Sequence, residues 1–151
     1  MIDYSVRLAT RRDIPAIADV FRKAREVALS YLPDLHTPED DRAFFGGKVM
    51  EACTIWVADA GGVIAFCAYR PGWLDHLYVD PAWHGRGVGQ ALLSVAKEGQ
   101  SELNLWTFQR NVQARRFYER QGFALVALAD GSANEEREPD AHYRWMGERS
   151  G

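Results

Sequence analysis

The chain has 151 residues, of which 47% are hydrophobic and 26% charged, with a formal net charge of -3. That length and composition suit one domain with a sizeable core and exclude a disordered chain; the mild negative charge speaks against a nucleic-acid binder, which carries a basic field. The longest apolar run, VIAFCAY, is far short of the about 20 residues that cross a bilayer, and the N-terminal MIDYSVRLATRRD lacks a signal-peptide core, so a cytoplasmic protein without membrane partners is expected.

In chain order, YSVRLA alternates and predicts a first strand. Asp13 then stands as a cap before a helical stripe of Ile14, Ile17, Ala18, Phe21 and Ala28, which Pro33 should stop. Thr37, Pro38 and the acids after them open a second helix, which Gly46 and Gly47 weaken or divide. CTIWVAD and GVIAFCAYR, joined by AGG, predict a hairpin, and WLDHLYV is a third extended run. After a glycine-rich turn comes a helix from Val88 to about Glu98. The strand ELNLWTF follows, then the helix NVQARRFYERQ ended by Gly122, and last the strands FALVALA and AHYRWMG around a polar loop. No repeat or linker divides residues 1–151, so a single domain is expected. The order β-α-α-β-β-β-α-β-α-β-β gives an α/β (α+β) fold. A mixed, mostly antiparallel sheet of six to seven strands would carry about four helices on both faces, not the regular βαβ alternation of a doubly wound fold.

Cys53 and Cys67 lie in strand-like segments without CxxC spacing and read as reduced core residues. His36, His76, His84 and His142 are scattered, so spacing predicts no metal site.

The chemistry concentrates in two motifs. In HGRGVGQALL, Gly85, Gly87 and Gly89 sit between a strand and a helix N-terminus. No Lys-Ser or Lys-Thr pair completes a Walker loop, and Gln90 stands where a dinucleotide fingerprint needs glycine. What remains is a row of unobstructed N–H groups at a helix start, an anion nest suited to a diphosphate. In NVQARRFYERQGF, Asn111 and Tyr118 are seven apart, hence within about 20° of one helix face and about 10 Å apart along it. Ala114 leaves a gap between them, while Val112 and Phe117 can turn to the core.

The first motif resembles the acetyl-coenzyme A signature of the GNAT superfamily of N-acetyltransferases, [Q/R]-x-x-G-x-[G/A], with His84 in place of the Gln or Arg and Gly87 and Gly89 at the small positions. The second resembles that family's N-x-x-A-x-x-[FY]-Y-x-x-x-G-F through Asn111, Ala114, Phe117, Tyr118, Gly122 and Phe123. The resemblance implies an acetyl-CoA-dependent enzyme moving an acetyl group to a primary amine by direct attack. The N–H groups of Gly85, Arg86, Gly87, Val88, Gly89 and Gln90 would hold the pyrophosphate. Leu77, Tyr78 and Val79 would pair with the pantetheine arm like an added strand. Asn111, Ala114 and Phe117 would line the cofactor groove, and Tyr118 would protonate the leaving thiolate.

Asp75 and His76, placed by alternation on opposite faces of one strand, are the candidate bases. The family resemblance places the acidic loops DLHTPEDD and NEEREPD beside the acceptor, which favours a cationic small molecule, with a protein N-terminus or lysine as the other acceptor class. A non-catalytic acyl-CoA sensor is the remaining alternative, and the resemblance also admits a homodimer.

Overall fold

The computed structural model describes residues 4–147. The strands are β1 (Ser5–Leu8), β2 (Thr54–Asp59), β3 (Val63–Arg70), β4 (Trp73–Val79), β5 (Glu102–Phe108), β6 (Ala124–Ala129) and β7 (Asp140–Met146). They form one sheet in the order β1-β2-β3-β4-β5-β7-β6, antiparallel everywhere except between β4 and β5. The helices are α1 (Ile14–Ala28), α2 (Pro38–Phe44), α3 (Val88–Lys97) and α4 (Val112–Arg120). The expected order of elements and helix count are both found.

The helices divide between the two faces of the sheet. On one face Ile14, Ile17, Ala18 and Val20 of α1 pack with Phe45 and Val49 against Val57, Phe66 and Ala68. On the other, Val88, Leu92, Leu93 and Ala96 of α3 and Tyr118 of α4 pack against Leu103, Leu105 and Tyr143. Each large apolar side chain so buried contributes about 1.5–3 kcal/mol. No helix among the described residues is long and apolar enough to cross a membrane.

Local chemistry explains most element ends. The side chain of Thr37 accepts from the Asp40 N–H at 3.1 Å while Asp40 accepts from the Thr37 N–H at 2.9 Å, a capping box that starts α2. Where Gly46 and Gly47 were expected to weaken this helix, it widens into a π turn over Phe45–Val49 and continues to Ala52. Asp13 does not cap α1 as expected. Its carboxylate turns back to the Thr10 N–H at 2.8 Å and to Arg7 at 2.8 and 2.9 Å. The α1 stripe is also shifted, with Val20 and Ala24 buried and Ala28 exposed, and the helix ends ahead of Pro33.

Two irregularities shape the centre of the sheet. β4 and β5 share a single ladder pair, Trp73 with Asn104, and then diverge. β4 also carries a bulge, because its register with β3 jumps between Ala68 and Tyr69.

Candidate active site

The diverging strands open a cavity of about 270 Å³, lined by Leu77 and Tyr78 from β4, Leu105 and Trp106 from β5, and Asn111, Ala114 and Tyr118 from α4. The expected groove on α4 is thus present, with its amide, gap and phenol on one wall. Asn111 is also the helix N-cap, its Oδ1 accepting from the Ala114 N–H at 3.3 Å. Phe117 lies outside the cavity, under the start of α3, where a Cβ on Gly89 would meet its ring at 3.5 Å. Val112 is exposed.

The glycine turn sits at the surface beyond Val79. Gly85 and Gly87 hold φ of 76° and 77°, a left-handed geometry that L side chains avoid. A Cβ on either would meet nothing within 4 Å, so close packing does not account for these glycines. Across the described residues, the N–H groups of Gly85 to Gln90 find no backbone acceptor, and intrahelical bonding begins with Ala91 to the Gly87 carbonyl at 3.0 Å. Six successive open donors at a helix start fit a diphosphate. His84 turns away from the nest, its Nε2 lying 3.3 Å from the Val79 carbonyl oxygen. The Arg86 guanidinium rests 4.8 Å above the Trp83 ring, which leaves a cation beside the nest.

A larger cavity of about 880 Å³ adjoins the first. The two share Leu29, Asp75, His76, Tyr78, Trp106 and Phe108, so they lie side by side along β4 and β5. Its rim is acidic, with Asp34, Asp40, Asp41, Glu135 and Glu136 among the lining residues. Glu39, Glu138 and Asp140 of the same acidic segments do not line it. Its floor and walls are aromatic, built from Phe21, Phe44, His76, Tyr78, Trp106 and Phe108. In the sequence Phe21 reads only as part of the apolar stripe of α1, and Arg22 and Arg25 carry no signal of a site. Trp73 and Tyr143 line neither cavity. Trp73 stacks on His142, and the buried Tyr143 donates to Glu119 at 2.7 Å.

The β4 bulge corrects one expectation. Asp75 and His76 do not face opposite sides of the sheet, since both line both cavities. Their surroundings differ sharply. Asp75 accepts from Arg70 at 2.7 and 3.2 Å and from the Cys53 thiol at 3.4 Å. Burial and that carboxylate push the thiol up to about 11, while burial alone carries Cys67 to about 12, so neither is a ready nucleophile. The His76 ring packs between Phe45 at 5.2 Å, Phe44 at 5.8 Å and Phe21 at 6.3 Å. Its Nδ1 is buried without a partner. Desolvation lowers its pKa from 6.5 to about 4 against the weaker pull of Asp75, so the imidazole is neutral near pH 7. The Tyr118 phenol is held well above the ordinary phenol range by burial, helped by Tyr78 and Cys67, and keeps its proton at any physiological pH.

A groove lined by Asn111, Ala114 and Tyr118, a row of open N–H groups after β4 and an acid-rimmed, aromatic cavity beside the groove fit an acyl-CoA-dependent transferase. Residues 51–125 match the model of the acetyltransferase (GNAT) domain. YwnH of Bacillus subtilis (strain 168), which carries the provisional name phosphinothricin acetyltransferase, is 30% identical over 148 residues, covering 85% of this chain and 89% of that protein. The peptidyl-lysine N-acetyltransferase YiaC of Escherichia coli (strain K12) is 33% identical over 76 residues, about half of each chain (50% and 51%). The yncA protein of Salmonella typhimurium, provisionally named an acetyltransferase and solved with its cofactor acetyl-CoA, superposes with a TM-score of 0.72 at 17% identity over 99% of this chain and 98% of that one. The chain belongs to the GNAT family. It is an acetyl-CoA-dependent N-acetyltransferase.

Proposed function

We propose that this enzyme acetylates a primary amine of a cationic small molecule, which enters the larger cavity and meets the acetyl group at the wall formed by His76 and Tyr78. The observation that carries this reading is the junction itself. The groove along Asn111, Ala114 and Tyr118 and the acid-rimmed chamber meet at residues common to both linings, His76 and Tyr78 among them. Acidic rims concentrate cations, and the aromatic floor accommodates an alkylammonium.

When bound, acetyl-CoA supplies an acetyl group activated as a thioester. The open N–H groups of Gly85 to Gln90 hold its pyrophosphate, and the ends of β4 left unpaired by β5 offer backbone partners at Leu77 to Val79. An ammonium has no lone pair, so the acceptor must shed a proton. The aromatic floor desolvates the ammonium and lowers its pKa, which favours that loss. His76 takes the proton because it is neutral and its Nδ1 has no protein partner; with its pKa lowered to about 4 it is a weak base, so the transfer depends on the desolvation that also lowers the pKa of the bound ammonium. Asp75 is the weaker candidate, since Arg70 and Cys53 already occupy its oxygens. Tyr118 holds its proton at Oη and delivers it to the leaving sulfur.

A peptide-borne lysine is the second reading, supported by the match to YiaC over half the chain. The test measures free thiol release from acetyl-CoA with a panel of amines and lysyl peptides, for the wild type and Tyr118→Phe. Turnover with small amines and its loss in the variant are expected. Turnover with peptides alone replaces the first reading by the second, and a fully active Tyr118→Phe removes Tyr118 as the acid.

A further inference from the structure

We propose that the acceptor carries a second cationic nitrogen, bound by Glu135 and Glu136 of the loop between β6 and β7, so that the substrate class is a diamine or polyamine. This rests on the reading above and deepens it.

The carboxylates around the large cavity fall into two groups. Some are saturated by protein cations. Asp41 is buried and accepts from Arg22 at 2.8 and 3.0 Å, and Glu138, just outside the cavity, accepts both arms of Arg110 at 2.7 and 2.8 Å. Arg110 is itself fixed by the Tyr31 ring, 3.8 Å beneath it. The other group is underused. Glu136 receives one long contact, from Arg25 at 3.5 Å, and Glu135 one, from His36 Nε2 at 2.6 Å. An ionised carboxylate offers about four lone-pair sites, so most of the capacity of both is open. Counting the whole lining, seven carboxylates face only Arg22, Arg25 and Lys48 as permanent cations.

The loop that carries these two acids is preorganised. The Asn134 side chain donates to the Glu138 carbonyl at 2.7 Å and accepts from the Glu138 N–H at 3.2 Å. Gln109 donates to the Ala129 and Asp140 carbonyls, both at 3.0 Å, closing the neck. A Cβ on Gly131 would lie 2.5 Å from the Glu138 carbonyl carbon, so the two ends of the loop are in backbone contact. Carboxylates on a closed loop lose little freedom when a cation binds. A second observation, independent of the acids, marks the other end of the ligand. His76 is packed in aromatic rings at the junction, with its Nδ1 buried and unpartnered. The cavity thus has one polar group for the reacting nitrogen and a separate anionic wall for another.

The experiment compares an α,ω-diaminoalkane with the monoamine of equal chain length, as kcat/KM in the acetyl transfer assay and as binding to the cofactor-free protein by calorimetry. The diamine is expected to be favoured by about tenfold or more, the scale of a desolvated charge pair. In the Glu135→Gln/Glu136→Gln double variant the ratio of diamine to monoamine is expected to fall toward one, through KM and Kd more than kcat. Circular dichroism confirms folding, and Glu135→Asp/Glu136→Asp restores part of the ratio. Equal use of monoamine and diamine by the wild type overturns this proposal and leaves the acetyl transfer reading standing, as does an unchanged ratio in the variant. Failure of every amine overturns the underlying reading instead.

Discussion

Replacing His76 by Gln tests the buried imidazole in a single measurement of stability against pH. In the folded protein the ring stays neutral down to about 4, whereas in the unfolded chain it titrates at its ordinary 6.5. Between those values the unfolded state binds a proton that the folded state refuses, so stability falls as pH falls. Above 6.5 the ring is neutral in both states and contributes no pH dependence. At about 1.4 kcal/mol per pH unit, the gap from 6.5 to about 4 is worth up to about 3 kcal/mol. His142 is also depressed, by burial and by Arg144, but it is common to both proteins and cancels in the difference. The assay is urea denaturation at several pH values from 7.5 to about 4.5, chosen to remain above the titration of most paired carboxylates. The wild type is expected to lose stability faster than His76→Gln across this window, by about 2 kcal/mol in total. Parallel curves would refute the claim that the aromatic box depresses the His76 pKa.

Further outcomes are expected elsewhere in the molecule. Tyr118→Phe should lower kcat by about 10²-fold or more while coenzyme A affinity, read by calorimetry, stays close to wild type. Gly87→Val should abolish coenzyme A binding, because φ of 77° disfavours a side chain and the Cβ enters the nest; Gly89→Ala should bind nearly normally, since its Cβ meets Phe117 at an ordinary 3.5 Å. His84→Arg should keep or raise that affinity, and a large loss would mean that the contact with Val79 governs the turn. Arg7 and Thr10 hold Asp13 at about 2 against an ordinary 3.8, so its contribution is present above pH 3.8 and lost as pH falls toward 2. With Arg7 partly open to solvent this amounts to about 1 to 2 kcal/mol, absent in Asp13→Asn on acid titration.

The order of elements was legible because each carries its own period, and the two motifs because glycine, asparagine and tyrosine at fixed spacing are costly to keep without a use. Asn111, Ala114 and Tyr118 do meet on one wall. The bulge in β4 was not legible. WLDHLYV alternates cleanly, and only the register against β3 shows that Asp75 and His76 turn the same way. Nor was the larger cavity, whose floor draws on residues from α1, α2, β4 and β5. Phe21 and Phe44 look like ordinary core residues until the fold brings them to His76. The acidic loops announced themselves by composition, but which acids remain available depends on where Arg22, Arg25 and Arg110 reach, a matter of tertiary placement.

The parting of β4 from β5 bears on how the molecule comes undone. With a single ladder pair between them, the sheet is two hydrogen-bonded rafts, β1-β2-β3-β4 and β5-β7-β6, held side by side mainly by the shared core beneath α3 and α4. Such a seam is where sub-global opening begins, so amide exchange should be fastest along the facing edges of Leu74 to Val79 and Leu105 to Phe108. Coenzyme A lying in that seam would bridge both rafts. It would act as a removable stitch, slowing exchange at these edges and raising the melting temperature with ligand concentration.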